Sequence, residues 1–131
     1  MSGEVSADRP GRKGVKAKAL ENLEAARRLR GLGLLNAAAS RLYYSVFQAA
    51  VHVLSRRGGS PADVKRGARN WSHGRVENLV PTIRGQSEDG VLFRELRALR
   101  ERADYDLEPL TKRELDRCWP DVDRFVREAT S

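Results

Sequence analysis

Residue types that build many common sites are scarce in this chain. Its 131 residues include one cysteine, Cys118, and two histidines. A single thiol excludes an internal disulfide, and these three residues do not supply the ligands of a structural zinc site. No apolar run approaches the roughly 18 residues that a membrane span needs, and the polar N-terminus lacks the apolar stretch of a secretory signal. We therefore expect a cytoplasmic protein with no metal site and no membrane contact.

Two familiar catalytic loops are also missing. The glycines of Arg57-Gly58-Gly59-Ser60 follow a predicted helix, whereas a phosphate cradle needs a strand before its glycines and a helix after them. The Gly-x-Ser-x-Gly elbow of a serine hydrolase does not occur. We expect no cofactor.

Positive charge is what the chain has in excess. Twenty-five Lys and Arg residues against 18 Asp and Glu residues give a net charge of +7, and 20 of the cations are Arg. A guanidinium binds phosphate bidentately, whereas Lys offers a point charge. This balance favours RNA, DNA or a nucleotide as partner, with an arginine-rich solvated surface as the equal alternative.

Hydrophobic periodicity predicts an all-α fold. Residues 1–14 hold three Gly, one Pro and little to bury, which predicts a flexible basic tail ahead of a single domain at 15–131. Apolar residues then recur at three- and four-residue steps from Val15 until Gly31 and Gly33 interrupt them. No alternating strand pattern follows anywhere.

The second predicted helix, residues 34–56, is the longest. Two adjacent apolar stripes leave only a narrow polar face, which includes Ser45 and His52. A helix that is apolar around most of its circumference is covered on several sides. We therefore expect this helix to be the central element of a bundle, with His52 at the surface.

Three further helices are predicted in the C-terminal half. Ser72 is placed to cap a third helix, and residues 85–90 are predicted to form a polar loop. A fourth helix is expected over residues 91–106. The last helix follows a capping box, Thr111 to Glu114, in which two side chains satisfy backbone donors reciprocally.

Two segments on the second and third helices carry candidate functional residues. Tyr43 and Tyr44 are adjacent and point about 100° apart on one helix. Tyr43 joins the apolar stripe, whereas Tyr44 falls one turn from Arg41 beside the polar face. The step Ser72-His73-Gly74 lies at a helix N-terminus, where an anion is stabilised.

A third segment runs from Leu96 to Tyr105 on the fourth helix. Arg97, Arg100 and Asp104 share one face of this helix. The spacing of four between Arg100 and Asp104 allows a salt bridge.

The order of these motifs resembles the HEPN superfamily, and among its branches the small stand-alone UPF0332-type proteins. The tandem Tyr-Tyr, the Ser-His-Gly step and Arg-x-x-x-Asp-Tyr carry the likeness, which covers about Leu20 to Phe125. The resemblance implies a four- or five-helix up-and-down bundle that forms a homodimer, with the fourth helices of the two protomers close together. It also implies a metal-independent ribonuclease of toxin–antitoxin, CRISPR or other phage-defence systems.

The sequence departs from the family at one position. These ribonucleases use an Arg followed four to six residues later by His, and four intervening residues after Arg100 lead to Tyr105. A phenol, with a pKa near 10, is a poor base at neutral pH. We expect Arg100 to contact phosphate and Asp104 to orient it, with Tyr105 and His73 completing a catalytic set. Three further residues are expected to bind the nucleic acid or nucleotide: Arg41, Tyr44 and Arg97.

Non-catalytic interpretations stay open beside this one. Small HEPN proteins are often encoded beside a nucleotidyltransferase, and Tyr105 would then be a site of nucleotide modification or a partner contact. Arg100 and Asp104 could be a structural ion pair. Tyr44 could be a hydrogen-bonded core tyrosine and His73 a helix-start residue. A helical interaction subunit without any nucleic-acid role is the third possibility.

Overall fold

The computed structural model describes residues 12–57 and 72–131, and within these two ranges the chain is helical with no strand. The helices are α1 (Arg12–Gly31), α2 (Leu35–Arg56), α3 (His73–Arg84), α4 (Glu88–Tyr105) and α5 (Lys112–Thr130). The all-α prediction is confirmed. None of these helices is both long enough and apolar enough to cross a membrane. The predicted N-terminal tail, residues 1–14, falls mainly on residues 1–11, which lie outside the described part.

Helix α2 is the central element, as its two apolar stripes predict. It packs against α1, α3, α4 and α5, and 13 of its 22 residues are buried. The other helices are arranged around it, so a side chain on α2 can face any of them.

Part of the polar face of α2 packs against α1 instead of facing solvent. The Ser45 hydroxyl donates a hydrogen bond of 2.8 Å to the carbonyl oxygen of Ala19, and Arg41 donates one of 3.2 Å to Asn22 Oδ1. His52 lies two turns beyond Ser45 on this face and is 7% exposed. The prediction that His52 is at the surface is therefore wrong. The physical reason is that α2 is covered by four other helices, which bury part of its polar face as well.

Local capping signals correctly mark the ends of three helices. Gly33, just beyond α1, has a left-handed φ of 80°, which an L side chain rarely adopts. The Ser72 hydroxyl accepts a hydrogen bond of 3.1 Å from the backbone N–H of Arg75 and so caps α3. The capping box of α5 is complete: the Thr111 N–H donates to Glu114 Oε1 at 2.9 Å, and the Glu114 N–H donates to Thr111 Oγ1 at 3.2 Å.

Helix α4 begins at Glu88, three residues before its predicted start. The predicted loop at 85–90 is therefore too long and ends at Ser87. Two carboxylates in the first turn, Glu88 and Asp89, favour the earlier start because they lie at the positive end of the helix dipole. Asp89 also binds Arg84 of α3 at 2.7 Å in a nearly buried ion pair, which joins the end of α3 to the start of α4.

Candidate functional site

Two adjacent tyrosine rings of α2 form the floor of the site, and we call Tyr43 and Tyr44 the tyrosine platform. Their ring centroids are 5.5 Å apart, with the ring planes at 83° to each other. Tyr43 is 1% exposed and belongs to the core, whereas Tyr44 is partly buried against that core. The platform therefore has one ring fixed in the interior and one at its rim.

Arg100 of α4 lies over both rings of the platform. Its Cζ atom is 5.1 Å from the centroid of Tyr43 and 5.1 Å from that of Tyr44, which is within the range of a cation–π interaction. The side chain is 30% exposed, so it reaches solvent while its guanidinium is supported from behind. Arg100 Nε is 3.9 Å from Asp104 Oδ2, too long for a hydrogen bond, so Asp104 acts on Arg100 as a nearby charge.

His73, the first residue of α3, lies among the same rings. Its ring centroid is 5.5 Å from that of Tyr43, 6.0 Å from that of Tyr44 and 4.3 Å from that of Phe47. Burial lowers the pKa of His73 below its usual 6.5, and the positive charges of Arg100 and Arg97 lower the pKa further. The imidazole is therefore neutral at pH 7 and available to accept a proton.

A chain of polar contacts runs below His73. The Tyr43 hydroxyl is 2.8 Å from His73 Nδ1 and donates a hydrogen bond of 3.0 Å to Glu77 Oε2. Burial raises the pKa of Tyr43 above 10, so its phenol keeps its proton at neutral pH. The Glu77 side chain is 9% exposed and forms an ion pair with Arg97 of α4. These contacts link α2, α3 and α4 at one place.

The structure brings five of the seven predicted site residues together and separates Arg41 and Tyr105 from them. His73 and Arg100 contact Tyr44 of the platform, Arg97 is joined to Tyr43 through Glu77, and Asp104 lies beside Arg100. Arg41 instead faces α1 through its bond to Asn22.

Tyr105 is the last residue of α4 and is 81% exposed. It takes part in none of the hydrogen bonds and ring contacts that join the described residues of the site. Tyr105, where the resemblance implies a histidine, is therefore at the end of the helix, apart from the imidazole that lies beside Arg100.

Two polar members of the site, Tyr43 and Glu77, are not among the predicted site residues. Tyr43 does belong to the core, as its place on the apolar stripe predicts, but its hydroxyl is also the middle of the polar chain. A signal for Glu77 was present, since it follows His73 by four residues and so shares its face of α3. That signal is local, whereas the contact of both residues with Tyr43 depends on the tertiary structure.

The described ranges contain neither a cluster of metal ligands nor a readily ionised thiol. There, no group of three or more His, Cys, Asp or Glu side chains is arranged to hold a metal ion. Cys118 is buried, and burial raises the pKa of its thiol to about 11, which makes the reactive thiolate scarce at neutral pH.

Comparison with known proteins gives one match. A family model described as the HEPN domain matches residues 13–130, a range that includes nearly all of α1 and the whole of α2 to α5. No curated protein and no solved structure shows a significant match to the chain.

Proposed function

The chain belongs to the HEPN domain family, and we propose on that premise that it binds RNA as a homodimer and cleaves it without a metal ion. The family is consistent with RNA-binding and ribonuclease-type roles. The observation that carries the proposal is that Arg100 and His73, a cation and a neutral base, contact the same two tyrosine rings.

The exposed groups of the site suit a phosphate chain with bases attached. The guanidinium of Arg100 is held from behind by two rings, which leaves its N–H edge for bidentate contacts to phosphate oxygens. Arg97 is 47% exposed beside it and supplies a second cation. The partly exposed ring of Tyr44 offers a surface on which a base can stack.

The same groups suit cleavage by internal transesterification. His73 takes the proton of a ribose 2′-hydroxyl, and the 2′ oxygen forms a bond to phosphorus as the bond from phosphorus to the 5′ oxygen breaks. The departing 5′ oxygen takes up a proton from solvent, and the imidazolium returns its proton to solvent. Arg100 stabilises the charge on the pentavalent phosphorane, as preorganised donors do in other enzymes. The products are a 2′,3′-cyclic phosphate and a 5′-hydroxyl.

The test is incubation of end-labelled RNA with the protein in EDTA. Arg100→Ala is expected to lower the cleavage rate by about 100-fold or more, the usual cost of removing a group that stabilises transition-state charge. Arg124→Ala removes an equally charged side chain that is exposed and paired with Asp121 on α5, and its rate should match that of the wild type. Intact RNA with the wild type, or equal rates for the two variants, would refute the catalytic proposal.

The outer face of α4 supports the proposed homodimer. Arg94, Ala98 and Glu101 are exposed on one stripe of this helix. In a two-fold antiparallel pairing, Arg94 would meet Glu101 of the partner subunit and Ala98 would permit close approach. Light scattering should show a dimer that Arg94→Glu dissociates and that the charge swap Arg94→Glu/Glu101→Arg restores. A monomeric wild type would refute the dimer.

We assign this ribonuclease to a toxin–antitoxin or phage-defence system. Metal-independent cleavage of cellular RNA would stop growth, which suits a toxin held in check by a partner. Induced expression of the wild type should arrest growth, and expression of Arg100→Ala to the same level should not. Equal growth of the two strains would contradict the role.

The exposure of Tyr105 favours one other function. Its phenol is 81% exposed, close in sequence to the fully exposed Leu107, so a second protein has access to it. The chain would then be a non-catalytic RNA- or nucleotide-binding subunit, with a nucleotidyltransferase as partner. Incubation with a co-encoded nucleotidyltransferase and ATP should add nucleotide mass to the wild type and none to Tyr105→Phe. An unchanged mass of the wild type would contradict this function.

A further inference from the structure

We propose that Glu77 and Tyr43 are positioning residues that hold His73 in its Nδ1–H tautomer and so leave Nε2 as the base that takes the 2′-hydroxyl proton. This proposal rests on the proposed ribonuclease function and adds two residues to it. Neither residue contacts RNA in this scheme, since both act through His73.

The order of donors and acceptors follows from the Tyr43 hydroxyl. It has a single proton and lies between two groups, His73 Nδ1 at 2.8 Å and Glu77 Oε2 at 3.0 Å. A carboxylate accepts hydrogen bonds and donates none, and Glu77 is the ion-pair partner of Arg97. The phenol proton therefore goes to Glu77, and the phenol oxygen must accept a hydrogen bond from the imidazole.

The tautomer of His73 is set by this order. Because Nδ1 donates to the phenol oxygen, Nδ1 carries the imidazole proton and Nε2 carries the lone pair. Without Glu77, the phenol would donate to Nδ1 instead, and the proton would move to Nε2, where it blocks the base. The carboxylate is thus two hydrogen bonds away from the atom whose basicity it controls.

The surroundings of His73 keep this arrangement at neutral pH. The groups that face it are Tyr43, Tyr44 and Phe47 from α2, Arg97 and Arg100 from α4, and Glu77 on its own helix. Both arginines disfavour the imidazolium, and Glu77 is separated from the ring by the phenol. We therefore expect the acid limb of kcat/KM against pH to lie below pH 6.5 in the wild type.

The tautomer is measured directly by nitrogen-15 NMR of the histidine side chains at pH 7.5. With only two histidines in the chain, the spectrum of His52→Gln identifies the signals of His73. The wild type should show Nδ1–H, and Tyr43→Phe should show Nε2–H. Glu77→Gln keeps an acceptor oxygen for the phenol and should retain Nδ1–H, whereas Glu77→Ala should lose it.

Kinetics on the same variants separate positioning from folding. Tyr43→Phe and Glu77→Ala should lower kcat by about 10- to 100-fold, as loss of an orienting partner does elsewhere. The Kd for RNA should be unchanged in Tyr43→Phe, which leaves the ion pair of Glu77 with Arg97 in place. Glu77→Gln should rescue most of kcat. Glu24→Ala is the matched control, because it removes an exposed carboxylate that pairs with Arg27 and Arg28 on α1 and should leave kcat unchanged. Circular dichroism confirms that each variant is folded.

The possible outcomes distinguish this proposal from the function on which it rests. RNA cleavage with His73 in the Nε2–H form, or full kcat for Tyr43→Phe, would overturn the positioning role while the ribonuclease stands. An Nδ1–H signal without any RNA cleavage would overturn the ribonuclease and with it the role of Nε2 as base. Loss of kcat together with the tautomer change supports both.

Discussion

Replacement of Asp89 by Ala is expected to lower the free energy of unfolding by about 3 kcal/mol. Asp89 and Arg84 form an ion pair of 2.7 Å in which the side chains are 5% and 10% exposed. Removing one partner of such a pair leaves a buried charge without compensation, which costs about 3–5 kcal/mol. Arg84, however, keeps a hydrogen bond to Gln86 and an ion pair with Glu128, at 3.0 Å each, so its charge stays partly compensated. The expected loss is therefore at the lower end of that range.

Urea unfolding followed by circular dichroism measures this loss. The matched control is Asp106→Ala, which removes a carboxylate whose partner, Arg102, is 3.4 Å away at the surface, so it should cost less than about 1 kcal/mol. The double variant Arg84→Met/Asp89→Leu should recover most of the stability, because an apolar pair can replace a buried ion pair. If Asp89→Ala were no less stable than Asp106→Ala, the compensation argument would be refuted.

Three further results are expected. Because the pKa of His73 is lowered in the folded state, the unfolded chain binds the proton more readily, and the free energy of unfolding should fall as pH is lowered through about 6.5. Urea midpoints at pH 7.5 and 5.5 should therefore differ less in His73→Gln than in the wild type, and an equal difference would contradict the assignment. Tyr105→Phe should cleave RNA in EDTA at the wild-type rate, because Tyr105 lies outside the contacts of the platform, and a large loss would show that the end of α4 takes part in the chemistry. Thr111→Ala removes half of the capping box of α5 and should lower the free energy of unfolding by about 1 kcal/mol. Thr111→Ser keeps the hydroxyl and should retain most of the wild-type stability.

The parts of the fold that depend on neighbouring residues could be predicted from the sequence. Ser72 and the pair Thr111 and Glu114 identify helix starts because each cap closes within three residues, and the apolar stripes of α2 predict its central place. The predicted start of α4 is three residues too late, because the carboxylate of Asp89 pairs with Arg84 of another helix. His52 was misplaced for a similar reason, since amphipathic periodicity does not specify which helix covers a polar face.

In the candidate site, too, local spacing could be predicted from the sequence and tertiary contacts could not. Arg97, Arg100 and Asp104 share a helical face, and that placement could be predicted from their spacing. Whether His73 reaches Arg100 depends on how α3 and α4 pack on α2, which no local pattern specifies. The spacing from Arg100 predicted Tyr105 in the place of histidine, but the imidazole beside Arg100 is that of His73, on a different helix.

The central burial of α2 has a consequence for the thermodynamics of ligand binding. Tyr43 has almost no exposed surface and is fixed by ring and hydroxyl contacts, so its rotamer freedom is lost when the chain folds and not when a ligand arrives. The side chains that lose conformational entropy when a ligand binds are then mainly the exposed arginines, above all Arg97. We accordingly expect backbone amides beneath the platform to be among the slowest to exchange with solvent deuterium, and equally slow with RNA bound and without it.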